Sequence, residues 1–171
     1  SITDAKKEPA IREMMTRLLD NFVDGNYKYK DLYQEYINEA CNIKDISRWC
    51  VKKSISEKLL EGNDSSKKRV LAALEGKDFQ VGNKVFLFND IDGMKPEVKN
   101  GEIVILKSTG KPKMVENQIY RLQEDFTGSY DKWHYIERLY DSMKIFETIL
   151  DMDKIVKYHL KSNRSLLDGI S

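Results

Sequence analysis

The stretch ISRWCVKKSIS, residues 46–56, is where the sequence changes from a helical to an extended pattern, and it therefore decides the fold class. It is rich in β-branched and aromatic residues that partly alternate with polar ones, which favours an extended segment. The residues before it have apolar side chains at helical spacing. We therefore expect helices followed by a small sheet, which is an α+β arrangement.

The residues before this stretch predict two amphipathic helices. Apolar side chains fit the i, i+3, i+4, i+7 pattern over residues 9–24, with Pro9 in the first turn and Gly25 just past the end. A second helix is predicted over about residues 28–41. The short turn between them predicts an antiparallel helical hairpin.

The residues after the stretch predict a short helix that Asp64 or Ser65 can cap and that Gly76 ends. Two strands are predicted at 84–88 and 102–107, and a long helix at 131–150. The predicted fold is α+β, mainly helical with a small antiparallel β-sheet. We interpret the chain as a single domain, 1–171, with three parts: a helical hairpin base at 1–43, a basic strand, short helix and small sheet at 44–110, and a closing loop, long helix and tail at 111–171.

The composition narrows the class of protein. Cys41 and Cys50 are too few and too far apart for a paired zinc site, and both lie in apolar patterns, so we expect reduced core residues of an intracellular protein. No run of about eighteen apolar residues and no signal peptide occurs, so we expect no membrane association and a cytoplasmic location. The chain does not open on Met, which fits a processed chain or an excised fragment, and we expect the fragment.

The charge of the chain is concentrated in one segment. Residues 44–77 contain nine Lys or Arg and five Asp or Glu, whereas the whole chain has a net charge of +1. A helix start that offers free N–H groups beside cations is suited to phosphate, and the preceding extended segment adds further donors. A solvated charged face is an equally open interpretation. The candidate phosphate-contacting residues are Lys52, Lys53, Ser54, Ser66, Lys67, Lys68 and Arg69.

Catalytic patterns are weak. Asp90 and Asp92 in LFNDIDG could hold two metal ions, but an Asp and Gly-rich segment between two predicted strands favours a turn. His134 and His159 have no local nucleophile or acidic partner, and His134 is expected to pack or to cap. We therefore expect no catalytic residues and no cofactor in this chain.

The order of these elements is similar to the thumb of family B DNA polymerases, of the phage or archaeal type. The resemblance begins with WCVKKSIS, the loop EGNDSS, the helix KKRVLAALEG and FQVGNKVFLF, in which Gly82 to Val85 match a turn into a strand. The opening EPAIREMMTRLLDNF resembles the helix that leaves the palm. The closing MVENQIYRLQEDFTGSYDKWHYIERLYDSMKIFETIL resembles the final helix with its Tyr130–Asp131 start. The resemblance covers nearly the whole chain but rests on order and short motifs.

The resemblance implies a function in DNA replication. A thumb holds the double-stranded primer–template DNA through non-specific phosphate contacts, and the seven candidate residues match its basic strand and the start of its short helix. The palm motifs, with their Mg²⁺ ligands, and the exonuclease and finger motifs do not occur in this sequence. The expected partners are therefore DNA and the remaining polymerase domains, in a phage or prokaryotic host, and nucleotidyl transfer would require those domains.

Two other functions stay open. The chain could be an independent protein-interaction domain with a solvated basic face. It could also be a small Mg²⁺-dependent nuclease that uses Asp90 and Asp92.

Overall fold

A computed structural model describes residues 7–26, 29–91 and 118–167, with side chains up to residue 151. This part of the chain has a mixed α/β architecture, with five α-helices and one three-stranded antiparallel sheet. The helices and strands follow one another as α1 (Pro9–Val23), α2 (Tyr29–Cys41), β1 (Val51–Ser54), α3 (Glu57–Leu60), α4 (Ser65–Leu74), β2 (Lys84–Ile91), β3 (Gln118–Leu122) and α5 (Lys132–Leu167).

The predicted helical hairpin is confirmed. Helix α1 begins at Pro9, whose missing N–H costs nothing in a first turn, and Gly25 follows its end with φ +81°. Helix α2 covers Tyr29–Cys41 and buries one face against α1 and α5. Helix α4 is also confirmed, and of the two candidate caps it uses Asp64.

The extended interpretation of residues 46–56 is correct only in part. Ile46–Trp49 form a 3₁₀ turn, and only Val51–Ser54 pair as a strand. The Asp45 side chain accepts hydrogen bonds from the backbone N–H of Ser47 at 3.1 Å and from its hydroxyl at 2.5 Å. Such local side-chain bonds compete with a sheet ladder and hold the first residues in a turn.

The strand predicted at 84–88 extends to Ile91. The prediction of a turn at LFNDIDG is therefore wrong for its first five residues, 87–91, which belong to this strand. Strand β2 continues through Asp90 to Ile91, because these residues pair with β3, a strand that the sequence analysis assigned to the closing loop. Asp92 and the strand predicted at 102–107 lie outside the described residues. Helix α5 continues to Leu167, beyond the predicted end at residue 150.

Strand β2 is central in the sheet and separates two apolar clusters. Leu87 lies opposite Val51 of β1 and Leu122 of β3, and it packs on the face that α4 covers. Phe88, the next residue, points to the other face and joins the larger cluster formed with α1, α2 and α5. We call the larger cluster with its helices the helical base, and the smaller one, with α4 and the sheet, the sheet lobe.

The start of α5 is tied to β2 at Asn89, two residues beyond Leu87, which pairs with the first residue of β1. The Asn89 N–H donates to the Tyr135 hydroxyl at 2.8 Å, and the Asn89 carbonyl accepts from the Asp131 N–H at 2.9 Å. The Tyr130 hydroxyl also donates to the Ala40 carbonyl at 2.9 Å, which anchors the end of α2. These bonds satisfy strand groups that would otherwise be buried without partners.

Across the described segments, no helix combines the length and the apolar composition that crossing a lipid bilayer requires. Helix α5 is long enough, but polar and charged side chains occur along its whole length.

Candidate nucleic-acid interface

The predicted basic strand is the exposed edge strand β1. Side chains alternate across a strand, so Lys53 lies on the face of Val51, toward α4, while Lys52 lies opposite Phe86 on the other face. Both lysines and Ser54 are exposed. The two side chains therefore leave β1 on opposite faces, although both lysines line a cleft at this edge of the sheet that is described below.

Lys53 lines a groove of about 360 Å³ between the end of β1, α3 and the start of α4. We call this the basic groove. Four of the seven predicted residues meet here, from two segments separated by α3. Its lining residues are Lys53, Ser54, Ser56, Lys58, Leu59, Asp64, Ser66, Lys67 and Val70.

Two lining residues of the basic groove, Ser56 and Lys58, are not among the seven candidates, and Ser56 was expected only as a further donor of the extended segment. The Ser56 hydroxyl caps α3 by accepting from the Leu59 N–H at 3.2 Å, and Lys58 follows on that helix. The signal was present, since a serine three positions before an apolar residue predicts a helix start. The helix itself is four residues long, too short for its apolar spacing to be recognised.

The start of α4 differs from the expected open phosphate site. The Asp64 carboxylate accepts from the Lys67 N–H at 2.8 Å, and this hydrogen bond lowers the pKa of Asp64. Lys67 Nζ lies 3.6 Å from the same carboxylate. One of the free N–H groups is therefore already used, and the groove depends on side-chain cations more than on the helix terminus.

Gly62 sets the position of Lys67. A side-chain carbon at residue 62 would overlap the aliphatic part of Lys67, including its Cβ and Cγ. Only glycine leaves this space, so the lysine stem packs over the loop backbone and its ammonium group stays at the groove.

The other three predicted residues lie elsewhere. Lys52 lines a second cleft, and Lys68 is exposed but lines neither space. Arg69 is directed at β3, where its guanidinium lies 4.9 Å from the centre of the Tyr120 ring and its Nη1 is 3.5 Å from Gln118. Arg69 therefore supports the fold of the sheet lobe and does not line the basic groove.

Two further cations of the basic segment are held by carboxylates. Arg48 donates to Glu39 at 2.9 Å and to Glu13, and Lys77 lies 3.0 Å from Asp125. In contrast, Lys53 and Lys58 form no ion pair with any residue that the structure describes. The positive charge that is not paired with a carboxylate is thus confined to fewer residues than the sequence count of 44–77 indicates.

The second cleft, of about 470 Å³, lies where the helical base meets the sheet lobe, and we call it the junction cleft. It gathers residues from five separate segments, of which only Lys52, Lys53 and Ser54 of β1 were predicted as phosphate contacts. Its lining residues are Glu8, Val51, Lys52, Lys53, Ser54, Asn89, Tyr120, His134 and Arg138.

An ion pair forms one wall of the junction cleft. The Glu8 carboxylate, whose side chain is 3% exposed, accepts from Arg138 Nε at 3.1 Å and from Nη2 at 2.9 Å. His134 lies beside it, with its ring edge-on to Tyr135 at 4.9 Å between centroids. Burial, and then the positive charges of Arg138 and Arg69, lower the pKa of His134 to about 3, so the imidazole is neutral.

Of the two aspartates considered for catalysis, Asp90 is the one among the described residues, and its contacts are structural. Asp90 is 2% exposed and accepts from Arg121 Nε at 2.8 Å and from the Ser129 hydroxyl at 3.0 Å. It joins β2, β3 and the segment before α5. Asp131, 0% exposed, accepts from the His134 N–H at 3.1 Å, and burial followed by the nearby Asp90 charge raises its pKa.

Within the described ranges, no three His, Cys, Asp or Glu side chains are grouped closely enough to hold a metal ion. Comparison of the chain with protein-family models, with curated proteins and with solved structures finds no match.

Proposed function

We propose that this chain holds double-stranded DNA through non-specific contacts with its sugar-phosphate backbone, as the thumb of a family B DNA-directed DNA polymerase would. The observation that carries the proposal is the basic groove, in which strand β1 and helix α4 bring Lys53 and Lys67 together with serine hydroxyls. Lysines and hydroxyls are donors for phosphate oxygens that carry no sequence information. In this role the chain is non-catalytic, and nucleotidyl transfer belongs to the palm domain.

The charge pattern supports backbone contact over base readout. The lysines are spread over an exposed edge strand and two short helices, and are not arranged along one helix that could lie in a major groove. Contact with only a few phosphates gives weak binding, with a dissociation constant of roughly 10 to 100 μM at physiological salt. A polymerase must bind every sequence equally, which such contacts allow.

The test is fluorescence anisotropy with a labelled primer–template duplex, at several salt concentrations. The Lys53→Ala/Lys67→Ala variant should bind more weakly, and its slope of log affinity against log salt should fall by roughly two, because two phosphate contacts are lost. The matched control is Lys30→Ala/Lys144→Ala, which removes two exposed charges from the helical base. Equal losses in both variants would contradict the proposal, since the attraction would then come from overall charge.

A second candidate function is an independent protein-interaction domain. Phe79 and Phe86 are 36% and 47% exposed, and both line a surface cavity of about 610 Å³ beside the strand ends. Exposed aromatic side chains that share a cavity are typical of protein contacts. If the duplex does not bind even at low salt, this candidate is favoured over the first.

A further inference from the structure

The junction cleft has an excess of positive charge that the fold does not use. Lys52, Lys53 and Arg138 line it, against the single carboxylate of Glu8. Arg69 adds a fourth cation behind the Tyr120 ring, which forms part of the wall. Like charges that line one cleft repel one another, and an anion between them would relieve the repulsion.

The cleft also contains polar groups without partners. Arg138 gives its Nε and Nη2 to Glu8, which leaves Nη1 with no acceptor among the described residues. The buried Nδ1 of His134 also has no partner in this part of the chain. A buried polar atom is usually satisfied, so an unpartnered one on a residue that lines an open cleft indicates a missing partner.

The ion pair makes Arg138 a fixed donor. Its guanidinium is held in one orientation by the buried Glu8 carboxylate, so little side-chain freedom remains to be lost when a ligand binds. A planar guanidinium with flanking lysines is the usual arrangement for phosphate oxygens. The volume of the cleft is within the range of small-ligand sites and exceeds the space that one phosphate group needs.

We propose that the junction cleft is an oxyanion site that takes one phosphate group, held by Arg138 and His134 with Lys52 and Lys53 beside it. This site shares Lys53 and Ser54 with the basic groove, but Arg138 and His134 lie outside that groove, and the proposal does not depend on DNA binding. The phosphate can be a diester of a DNA backbone or a free phosphate monoester. The two sources present the same oxygens to these donors.

The chain supplies its own internal control for a test by NMR. It has only two histidines, His134 in the cleft and His159 in the C-terminal part of α5. Long-range ¹H–¹⁵N spectra report both imidazole rings during titration with inorganic phosphate at millimolar concentrations, with chloride keeping the ionic strength constant. The proposal predicts a saturable shift of the His134 nitrogens and of Arg138 Nε, with no matching shift of His159.

Titrations with a deoxynucleoside 5′-monophosphate and with a duplex distinguish the sources. If a duplex shifts His134 and competes with phosphate, the site takes backbone phosphate. If only the monophosphate and inorganic phosphate shift it, the site takes free phosphate monoesters. Either result supports the site, whereas no saturable His134 shift with any of the three probes, or an equal shift of His159, overturns it.

The variant Arg138→Lys sharpens the test because it keeps the charge and an ion pair with Glu8 but removes the planar fork. It should weaken phosphate binding roughly tenfold, as expected for a lost charge-assisted hydrogen bond. Lys144→Ala, on α5 outside the cleft, should leave binding unchanged. The titration of the unaltered chain decides the question even if Arg138→Lys fails to fold. The titration with inorganic phosphate contains no DNA, so its result is separate from that of the proposed function.

Discussion

The helical base and the sheet lobe differ in how their side chains are used. The base buries a large cluster and pairs its charges, as Arg48 does with Glu39 and Arg138 with Glu8. The sheet lobe has a small apolar cluster, and its lysines on β1 are exposed without ion pairs to any described residue. Stability is thus concentrated in one region and available charge in the other. Under the proposed function this difference has a reason, since a surface that binds a polyanion must keep its cations free, at some cost to its stability.

The largest expected effect separates the two regions at neighbouring positions of β2. Phe88→Ala removes a fully buried ring of the helical base that packs edge-on with Phe126, and it should cost about 3–5 kcal/mol of unfolding free energy. Leu87→Ala affects only the sheet lobe and should cost about 2–3 kcal/mol, because a small cluster can partly collapse. Urea unfolding followed by the fluorescence of Trp49 and Trp133, both in the helical base, measures the first, and hydrogen exchange of α4 and β3 amides measures the second. Equal loss of protection in both regions for both variants would mean that the chain unfolds as one unit.

A smaller effect concerns the boundary between the regions and depends on pH. The pKa of His134 is about 3 in the folded chain and about 6.5 when unfolded, so the unfolded state binds more protons between these values. Stability should therefore be fully present above pH 6.5 and should fall by up to about 1.4 kcal/mol per pH unit below it. The variant His134→Gln, neutral at every pH, should lack this part of the acid loss. Thermal unfolding of both chains at pH 7 and pH 5 gives the difference, and parallel losses would contradict a neutral buried His134.

A third effect, of about 1 kcal/mol, tests the buried carboxylate at the start of α5. Asp131→Ala loses the cap on the His134 N–H and should destabilise the chain by about that amount. Asp131→Asn keeps the cap and removes a buried charge, so it should be at least as stable as the original at pH 7. Because the pKa of Asp131 is raised, the original chain gains stability as the pH falls through that pKa, and the difference from Asn should shrink. Denaturant midpoints of the three chains at pH 7 and pH 5 check this order.

The smallest effect on stability contrasts two glycines. Gly62→Ala displaces Lys67 and should weaken duplex binding severalfold with little change in unfolding free energy. Gly25→Ala introduces a side chain at φ +81°, with open space around it, and should cost about 1 kcal/mol without changing DNA affinity. Anisotropy and thermal unfolding of both variants give the comparison. Loss of DNA affinity in Gly25→Ala would show that binding depends on stability alone.

The sequence predicted the long amphipathic helices well, because their apolar residues repeat over several turns. It failed where local hydrogen bonds or distant pairing decide the structure. Asp45 and Ser47 hold a turn in a segment of strand-forming residues, and β3 becomes a strand only because β2 lies beside it.

The same reason explains the candidate site. Lys53 and Lys67 could be identified from charge alone, but their meeting in one groove depends on α3, and the face of the sheet that each of Lys52 and Lys53 takes depends on the strand register. The junction cleft was not predicted, because Arg138 and Glu8 lie at opposite ends of the sequence and only the packing of α5 brings them together.

The two hydrogen bonds between Asn89 and the start of α5 have a consequence for folding fidelity. A shift of β2 by one residue would place Leu87 in the helical base and Phe88 against α4, and both exchanges are chemically tolerable because both side chains are apolar. The same shift would remove Asn89 from Tyr135 and Asp131 and leave their buried polar groups unsatisfied. Misaligned strand pairing is therefore penalised by a helix outside the sheet, in addition to the loss of the Asp90–Arg121 pair between β2 and β3.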